Sequence, residues 1–356
     1  MVVYFSVAGR CPVPPEIHRT EGVFMTQIDT VAAAPPAAFV LTEAEYRQTS
    51  EIADRLARAE PGRTDDQQWL AAVRDASVEL PTRLLVELRR FRRDAGPDAV
   101  LLIRNLPVSP AYGSRELPRT PTQPGSVERI ATTAAAIITA AMLQLGEVVA
   151  FRNEKTGALV QNVVPVPGQE TLQSNAGSVL LEMHNENAFH PNRPDYVGLL
   201  CVREDPTGQA RLCTASVRRA LPLLSAQARQ VLSGERFLTE APPSFEALES
   251  VVPAHAVLQG AGEDPDILVD FSATHPLDDE ARVAMAELRD ALVQVSSALA
   301  LRAGDLAIVD NRLAVHGRTP FTPRYDGTDR WLHRVYASLD HRRSRPVRRD
   351  GGSVLG

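Results

Sequence analysis

Cysteine is scarce in this chain. Cys11, Cys201 and Cys213 are the only three among 356 residues, they lie far apart, and no Cys-x-x-Cys pair occurs. That excludes a disulfide framework, offers no thiolate zinc or redox site, and fits a reducing cytoplasm. Long apolar runs are also missing. The longest uncharged stretch, Ala131 to Gly146, holds three threonines and a glutamine, short of the roughly 18 apolar residues that a bilayer span needs, so it reads as a buried helix and no membrane association is expected. The start of the chain shows no charged segment leading into an apolar run and a small-residue cleavage site, so export is not expected. Charge of one sign is not in excess: 38 Lys and Arg against 44 Asp and Glu give a net charge of -6, which gives no reason to expect a nucleic-acid partner.

What remains is the composition of an ordinary globular protein, 44% hydrophobic and 23% charged. A chain of this length can bury a sizeable core, and one domain is the expectation. Residues 1–40 are rich in proline and alanine without a sustained period and read as a loosely ordered leader, within which Met25 is a second possible start. Residues 41–145 are read as mainly helical. Thr42-Glu43-Ala44-Glu45 has the form of a capping box, opening a helix to about Ala59, and Trp69 to Ala76 and Thr82 to Phe91 continue the pattern. Val100 to Ile103 is a short strand, and Ser126 is a plausible cap for a helix that Gly146 closes.

From residue 146 to 341 the pattern changes to short apolar or alternating runs: Glu147–Phe151, Leu159–Val166, Ser178–Met183, Tyr196–Val202, Ile267–Phe271, Asp305–Val309 and Trp331–Leu339. These are expected strands of a β core, with Asp278 to Leu301 as a long inserted helix. The fold class is therefore mainly β with a helical periphery. The basic residues of 342–356 read as a solvated, frayed tail.

The chemistry begins at His184-Asn185-Glu186, directly after the apolar run that ends at Met183. His184 and Glu186 leave the end of one strand on the same side. Non-haem iron(II) sites use two neutral imidazoles and one carboxylate on one face of the metal, with the remaining positions open. His316, within Asn311 to Gly317, is the candidate second histidine, brought back by a strand, a turn and a second strand. Zinc is the rival metal, since two histidines and a glutamate also bind it. Downstream, Arg330 and Arg334 share one face of a strand with Leu332, by the two-residue period. A buried guanidinium needs an anionic partner, and a carboxylate is the natural fork-shaped match. Two solvated arginines on an exterior face are the other reading.

Four segments together carry a resemblance: HNENAFHPNRPDYVGL from His184 to Leu199, LVQN from Leu159 to Asn162, DNRLAVHGRTPF from Asp310 to Phe321, and RWLHRVY from Arg330 to Tyr336. In these the chain resembles the clavaminate synthase-like iron(II)/2-oxoglutarate oxygenases, which include asparagine and arginine hydroxylases of peptide-antibiotic pathways. The resemblance implies a double-stranded β-helix, a jelly-roll or cupin-like core with the metal at one open end. It implies that His184, Glu186 and His316 ligate iron(II), and that dioxygen and 2-oxoglutarate are co-substrates. Arg330 would bind the distal carboxylate of 2-oxoglutarate, and Arg334 the α-carboxylate of an amino-acid substrate. Ser174 and the second oxygen of Glu186 would meet the substrate's α-amino group, and Thr214 would assist 2-oxoglutarate where relatives commonly have a threonine in this segment. Asn185 stands where relatives have threonine; its side chain is expected to point away from the metal and to alter the hydrogen bonds behind it.

For the substrate side chain, relatives acting on arginine use acidic residues before the long helix. Here Leu268 and Asp270 share that face and only one is acidic, so a less charged, smaller or cyclic side chain is favoured over a fully buried guanidinium. Citrulline, lysine, pipecolate and arginine remain in view, with Asn153 a further side-chain contact. His190, His255, His275 and His333 are expected to be structural, with His333 facing away from the metal. The expected reaction is hydroxylation of the β or γ carbon of a free amino acid in natural-product biosynthesis. Desaturation or ring closure with the same cofactors, and a non-enzymatic metal-binding or sensing role, stay open, as does the oligomeric state.

Overall fold

The computed structural model describes residues 36–109, 117–245, 253–348 and 351–356. The leader expectation and the alternative start at Met25 therefore fall, for residues 1–35, outside the described residues. Ala38–Val40 already forms strand β1, parallel to β2, Val100–Arg104. Between them lie helices α1, Glu43–Ala57, α2, Gln67–Ala76, and α3, Thr82–Arg93. The capping box is formed: Glu45 N–H donates to the Thr42 hydroxyl, and Thr42 N–H donates to the Glu45 carboxylate.

Ser126 does not cap the next helix. It precedes a short strand β3, Val127–Glu128, and helix α4, Thr133–Leu143, is capped instead by Thr132, whose hydroxyl accepts from Ala135 N–H. Ten of the eleven residues of α4 are buried, because α1 and α2 pack on one side of it and the large sheet on the other. A helix sandwiched between layers needs no polar face, and its two threonines are satisfied internally, Thr133 donating to Asp54 and Thr139 to the Ala135 carbonyl.

The strands that follow are β4, Glu147–Phe151, β5, Val160–Val163, β6, Leu181–His184, β7, Tyr196–Arg203, and β8, Leu212–Ser216. Next come β9, Phe237–Thr239, β10, Leu258–Ala261, β11, Asp264–Ile267, and β12, Thr274–Pro276. After helix α7, Asp279–Val295, the chain forms β13, Ser297–Leu299, β14, Leu306–Asp310, β15, Ala314–Arg318, β16, Trp331–Ser338, and β17, Val354–Leu355. The short helices α5, Val217–Ala220, and α6, Ala226–Leu232, connect β8 to β9.

Two sheets result. A nine-stranded sheet has the path β1-β2-β14-β7-β16-β4-β17, with β5 and β3 attached beside β16; a four-stranded sheet has the order β13-β8-β15-β6. The central strands β7 and β14 are buried almost throughout, which is why they read as continuous apolar runs rather than alternating ones. Gly198 in β7 lets α4 approach: a Cβ there would lie 2.6 Å from Met142 Sδ. Helix α7 packs against β8 and β12. Side chains of both sheets meet in one cavity, so the layers are helices, large sheet, site, small sheet and α7.

Three further expectations from sequence are corrected. Ile267–Phe271 is not one strand: the ladder ends at Ile267 in the β10–β11 hairpin, and Asp270 makes only an isolated bridge to His184. The helix expected to Leu301 stops at Val295, because residues 297–299 leave it to pair with β8. The C-terminal tail is not frayed. β17 pairs with β4, and Arg348 is buried, donating to the backbone oxygens of His341, Gly351 and Gly352.

Candidate metal centre and substrate pocket

His184 is the last residue of β6, and its antiparallel neighbour β15 places His316 directly opposite. The two imidazole rings lie 4.5 Å apart between centroids. Glu186, two residues beyond the strand end, brings Oε2 to 3.6 Å from His316 Nε2. One donor atom from each of the three lies within 4.8 Å of the others. His184 Nδ1 is 2.9 Å from the Glu182 carbonyl, so it donates there and leaves the Nε2 lone pair for the cavity. His316 is 5% exposed with no partner for Nδ1, and its Nε2 faces Glu186 at a separation too long for a good hydrogen bond. This donor set, two imidazoles and one carboxylate converging in a buried spot, fits a divalent first-row metal ion.

Electrostatics favour the ligating forms. Burial alone would raise the Glu186 pKa, but the Arg334 charge, then His316 and His184, hold this carboxylate well below its usual range. His316 is pushed below the ordinary imidazole value by burial and by His184, against the pull of Glu186, which keeps it neutral.

Backbone and amide contacts behind the ligands fix their geometry. Asn185, 1% exposed, donates to the carbonyls of Asn311 and Ala314 while accepting from Val269 N–H. Asn311 reciprocates: its side chain accepts from Glu186 N–H and donates to the carbonyls of Glu186 and Pro194. The loop carrying Glu186 is thus clamped to the turn between β14 and β15. Gly317 completes the support. A Cβ there would come within 2.5 Å of the Leu181 carbonyl oxygen, at the point where the β15–β6 register shifts between His316 and Arg318.

The arginine strand is β16, and both guanidinium groups turn inward: Arg330 is 7% and Arg334 6% exposed, and both line the same cavity as the three candidate ligands. Arg334 is heavily engaged. Its Nη1 donates to both Glu186 oxygens at 3.0 Å, Nε and Nη2 donate to Gln161 Oε1, and Nη2 also meets Glu154. Glu154 accepts in addition from the Tyr336 hydroxyl at 3.0 Å. Arg330 differs, having no hydrogen bond or ion pair among the described residues. On the opposite face, Trp331 donates to Asn162 Oδ1 and His333 is buried with both ring nitrogens unpartnered; burial pushes the His333 pKa down to about 3.

The cavity has a volume of about 570 Å³. Of the residues expected from sequence, Asn153, Ser174 and Asp270 line it together with the ligand set and both arginines. Asp270 uses one oxygen to accept from Ser272 N–H and hydroxyl. The Ser174 hydroxyl accepts from Ala176 N–H at 3.3 Å. Thr214 lies opposite His316 in register, but its hydroxyl meets Ser297 at 3.1 Å and it is not part of the cavity lining.

Sequence reasoning missed five residues here: Glu154, Gln161, Phe189, Phe245 and Arg318. Glu154 follows Asn153 in a turn whose next two residues, Lys155 and Thr156, have positive φ. Lys155 is held there by bonds to the Ser126 and Asn162 carbonyls, and burial together with Arg334 pushes its pKa down to about 7. Gln161 sits in the quoted LVQN segment without a role until Arg334 is placed beside it. Phe189 and Phe245, rings 4.8 Å apart, wall the cavity. Arg318 follows His316 by two residues and so turns to the same side of β15. The strand period carried that last signal.

Residues 67–336 match the family described as taurine catabolism dioxygenase TauD, TfdA family. L-asparagine oxygenase of Streptomyces coelicolor is 48% identical over 327 residues, which is 91% of this chain and 97% of that protein. The solved structure of asparagine oxygenase in complex with Fe(II), 2S,3S-3-hydroxyasparagine and succinate superposes with a TM-score of 0.86 at 48% identity, covering 90% of this chain and 99% of the other. The non-heme iron oxygenase OrfP in complex with Fe and alpha-ketoglutaric acid gives a TM-score of 0.80 at 30% identity, over 90% of this chain and all of that one.

Proposed function

The chain belongs to the TauD/TfdA family of dioxygenases, and from that premise we propose that it hydroxylates the β carbon of free L-asparagine or a similar amide-bearing L-amino acid. It is an iron(II)- and 2-oxoglutarate-dependent amino-acid hydroxylase. When bound, iron(II) and 2-oxoglutarate supply the oxidising power: dioxygen places one atom on carbon and one in succinate, and carbon dioxide leaves. The residues that would hold the metal are His184, Glu186 and His316. The two sheets would form the double-stranded β-helix of this family, with the site at one end.

The observation that carries the reading is the pairing of two features in one cavity: the three ligand groups within 4.8 Å of each other, and two buried arginines four residues apart on β16. Arg330, which has no anionic partner of its own, would take the distal carboxylate of 2-oxoglutarate. Arg334 would take the substrate's α-carboxylate. Adjacent to it, Glu154 offers a carboxylate for the α-ammonium group, so a zwitterion would meet a matching cation and anion side by side. Glu186 and Ser174 remain further acceptors for that ammonium, with both Glu186 oxygens already shared with Arg334.

At the side-chain end, Asp270 has one oxygen committed to Ser272, and the other acidic group nearby, Glu240, lies 3.4 Å from His275 at the exposed rim. One carboxylate oxygen suits an amide N–H₂ donor and leaves a guanidinium half-compensated. Together with the 48% identical asparagine oxygenase, this moves the preference from the longer citrulline, lysine, pipecolate and arginine to asparagine. Asn153 would adjust the same end of the pocket. Phe189 and Phe245 would exclude water around the reacting carbon. The free thiols of Cys201 and Cys213, both buried, and the lack of any described helix long and apolar enough to cross a membrane support a reducing cytoplasmic setting. A β-hydroxylated amino acid would then feed peptide-antibiotic assembly.

The test is incubation with iron(II), 2-oxoglutarate and a mixture of free amino acids, read by mass spectrometry. Asparagine is expected to gain one oxygen with equimolar succinate. Loss of two hydrogens instead would replace hydroxylation by desaturation, and succinate formation coupled only to lysine, citrulline or arginine would overturn the substrate assignment.

A further inference from the structure

The ionic groups lining the cavity do not balance locally. Its acidic groups are Glu154, Glu186, Glu240 and Asp270. The first two are taken by Arg334, Asp270 by Ser272, and Glu240 lies 3.4 Å from His275 at the exposed rim. That leaves two buried guanidinium groups, Arg318 and Arg330, without any carboxylate among the described residues.

Arg318 is 3% exposed. One of its five N–H donors goes to the Val179 carbonyl at 2.8 Å, its plane lies 5.0 Å from the Phe321 ring centroid, and its Nε is buried without a partner. A need to satisfy one backbone carbonyl would be met by a neutral donor at far lower desolvation cost. The charge of Arg330 acts on Arg318, so each buried cation also bears the repulsion of the other. Two like charges are retained in one dry pocket when an anion joins them.

We propose that Arg318 is a second binding residue for the distal carboxylate of 2-oxoglutarate, acting beside Arg330. This rests on the reading of Arg330 given above. A carboxylate has two oxygens and about four lone-pair directions, enough for both forks. The direction is consistent: Arg318 lies two residues, about 7 Å, along β15 from His316, on the same face. Nη1 of Arg318, which makes no hydrogen bond among the described residues and is not sealed off as Nε is, is then the donor available to the co-substrate. Two guanidinium groups would also make the site selective for a 2-oxo acid with a terminal carboxylate.

The experiment is calorimetric binding of 2-oxoglutarate and of 2-oxovalerate, which has the same carbon chain without the distal carboxylate, to iron(II)-loaded enzyme under argon. Wild type, Arg318→Gln and Arg330→Gln are compared; glutamine keeps a donor for Val179. The expected result is a loss of at least tenfold in 2-oxoglutarate affinity for each variant, with 2-oxovalerate affinity changed less than twofold. If Arg330→Gln shows that selective loss and Arg318→Gln binds as wild type does, Arg318 has no such role and the reading of Arg330 stands. If wild type binds both acids equally, the reading of Arg330 fails as well. Equal weakening of both acids by Arg318→Gln assigns it a merely structural role and overturns the proposal. Should Arg318→Gln lose its cooperative melt, Arg318→Lys carries the same comparison: a loss confined to 2-oxoglutarate supports the proposal, and equal losses or none overturn it.

Discussion

Replacing Glu154 by glutamine tests how the pocket reads the substrate's backbone. The side chain is 17% exposed and touches Arg334 and the Tyr336 hydroxyl. Glutamine keeps the shape and an acceptor oxygen but removes the charge. A hydrogen bond to a charged partner contributes about 1.5–3 kcal/mol, so losing the ammonium–carboxylate contact should weaken asparagine binding by roughly 10- to 150-fold. Arg334 simultaneously loses one counter-charge while keeping Glu186 and Gln161. Its grip on the α-carboxylate then strengthens, which places the expected net loss at the lower end, about tenfold. The assay is calorimetry with iron(II), 2-oxoglutarate and no oxygen, using asparagine and its desamino analogue succinamate. Glu154→Gln should weaken asparagine alone. Equal weakening of both would refute an ammonium contact and leave Glu154 as a support for Arg334; no weakening would refute both.

Three other perturbations follow from the structure. His333 is buried with two unpartnered ring nitrogens and a pKa held near 3 by burial. Because the unfolded chain, with an ordinary value of about 6.5, binds the proton first, this residue's contribution is fully present above that value. It is lost as pH falls toward 3, by about 1.4 kcal/mol per pH unit. His333→Leu should therefore raise stability at pH 7 and reduce the wild-type loss between pH 6.5 and 4.5 by about 2–3 kcal/mol, read by urea titration; an unchanged pH slope would contradict it. Gly317→Ala should push β6 away from β15, since its Cβ would meet the Leu181 carbonyl, costing about 1–3 kcal/mol and weakening metal affinity at least tenfold; wild-type affinity would show that the glycine is not needed for the approach. Asn311→Ala frees the Glu186 loop by removing bonds to the Glu186 N–H and C=O. Iron affinity should fall about 10- to 100-fold, with far-UV circular dichroism unchanged; an unaltered affinity would show that the loop holds without this clamp.

Much of this molecule was legible in its sequence because local signals and the fold agreed. The capping box at Thr42, the strand at Glu147–Phe151 and the alternation of Arg330 and Arg334 each depend on residues adjacent in the chain. The convergence of His184 with His316 depends on strand register, which the motif order hinted at and the β6–β15 pairing supplies. What was not legible is non-local or set by competition. The helix that begins at Asp279 stops at Val295 because β8 offers the following residues a strand partner. The tail is ordered because β4 has a free edge for β17. Glu154 and Gln161 carry no motif of their own; only the folded position of Arg334 gives them meaning.

Assignment of His184, Glu186 and His316 as the groups that would hold the iron is tested by the ratio of succinate to oxygenated asparagine in wild type and in His316→Ala, supplied with iron(II) and 2-oxoglutarate. The expected result is a ratio near one for wild type and neither product above background for His316→Ala in a protein that still melts cooperatively. Retained, coupled turnover in His316→Ala would contradict it.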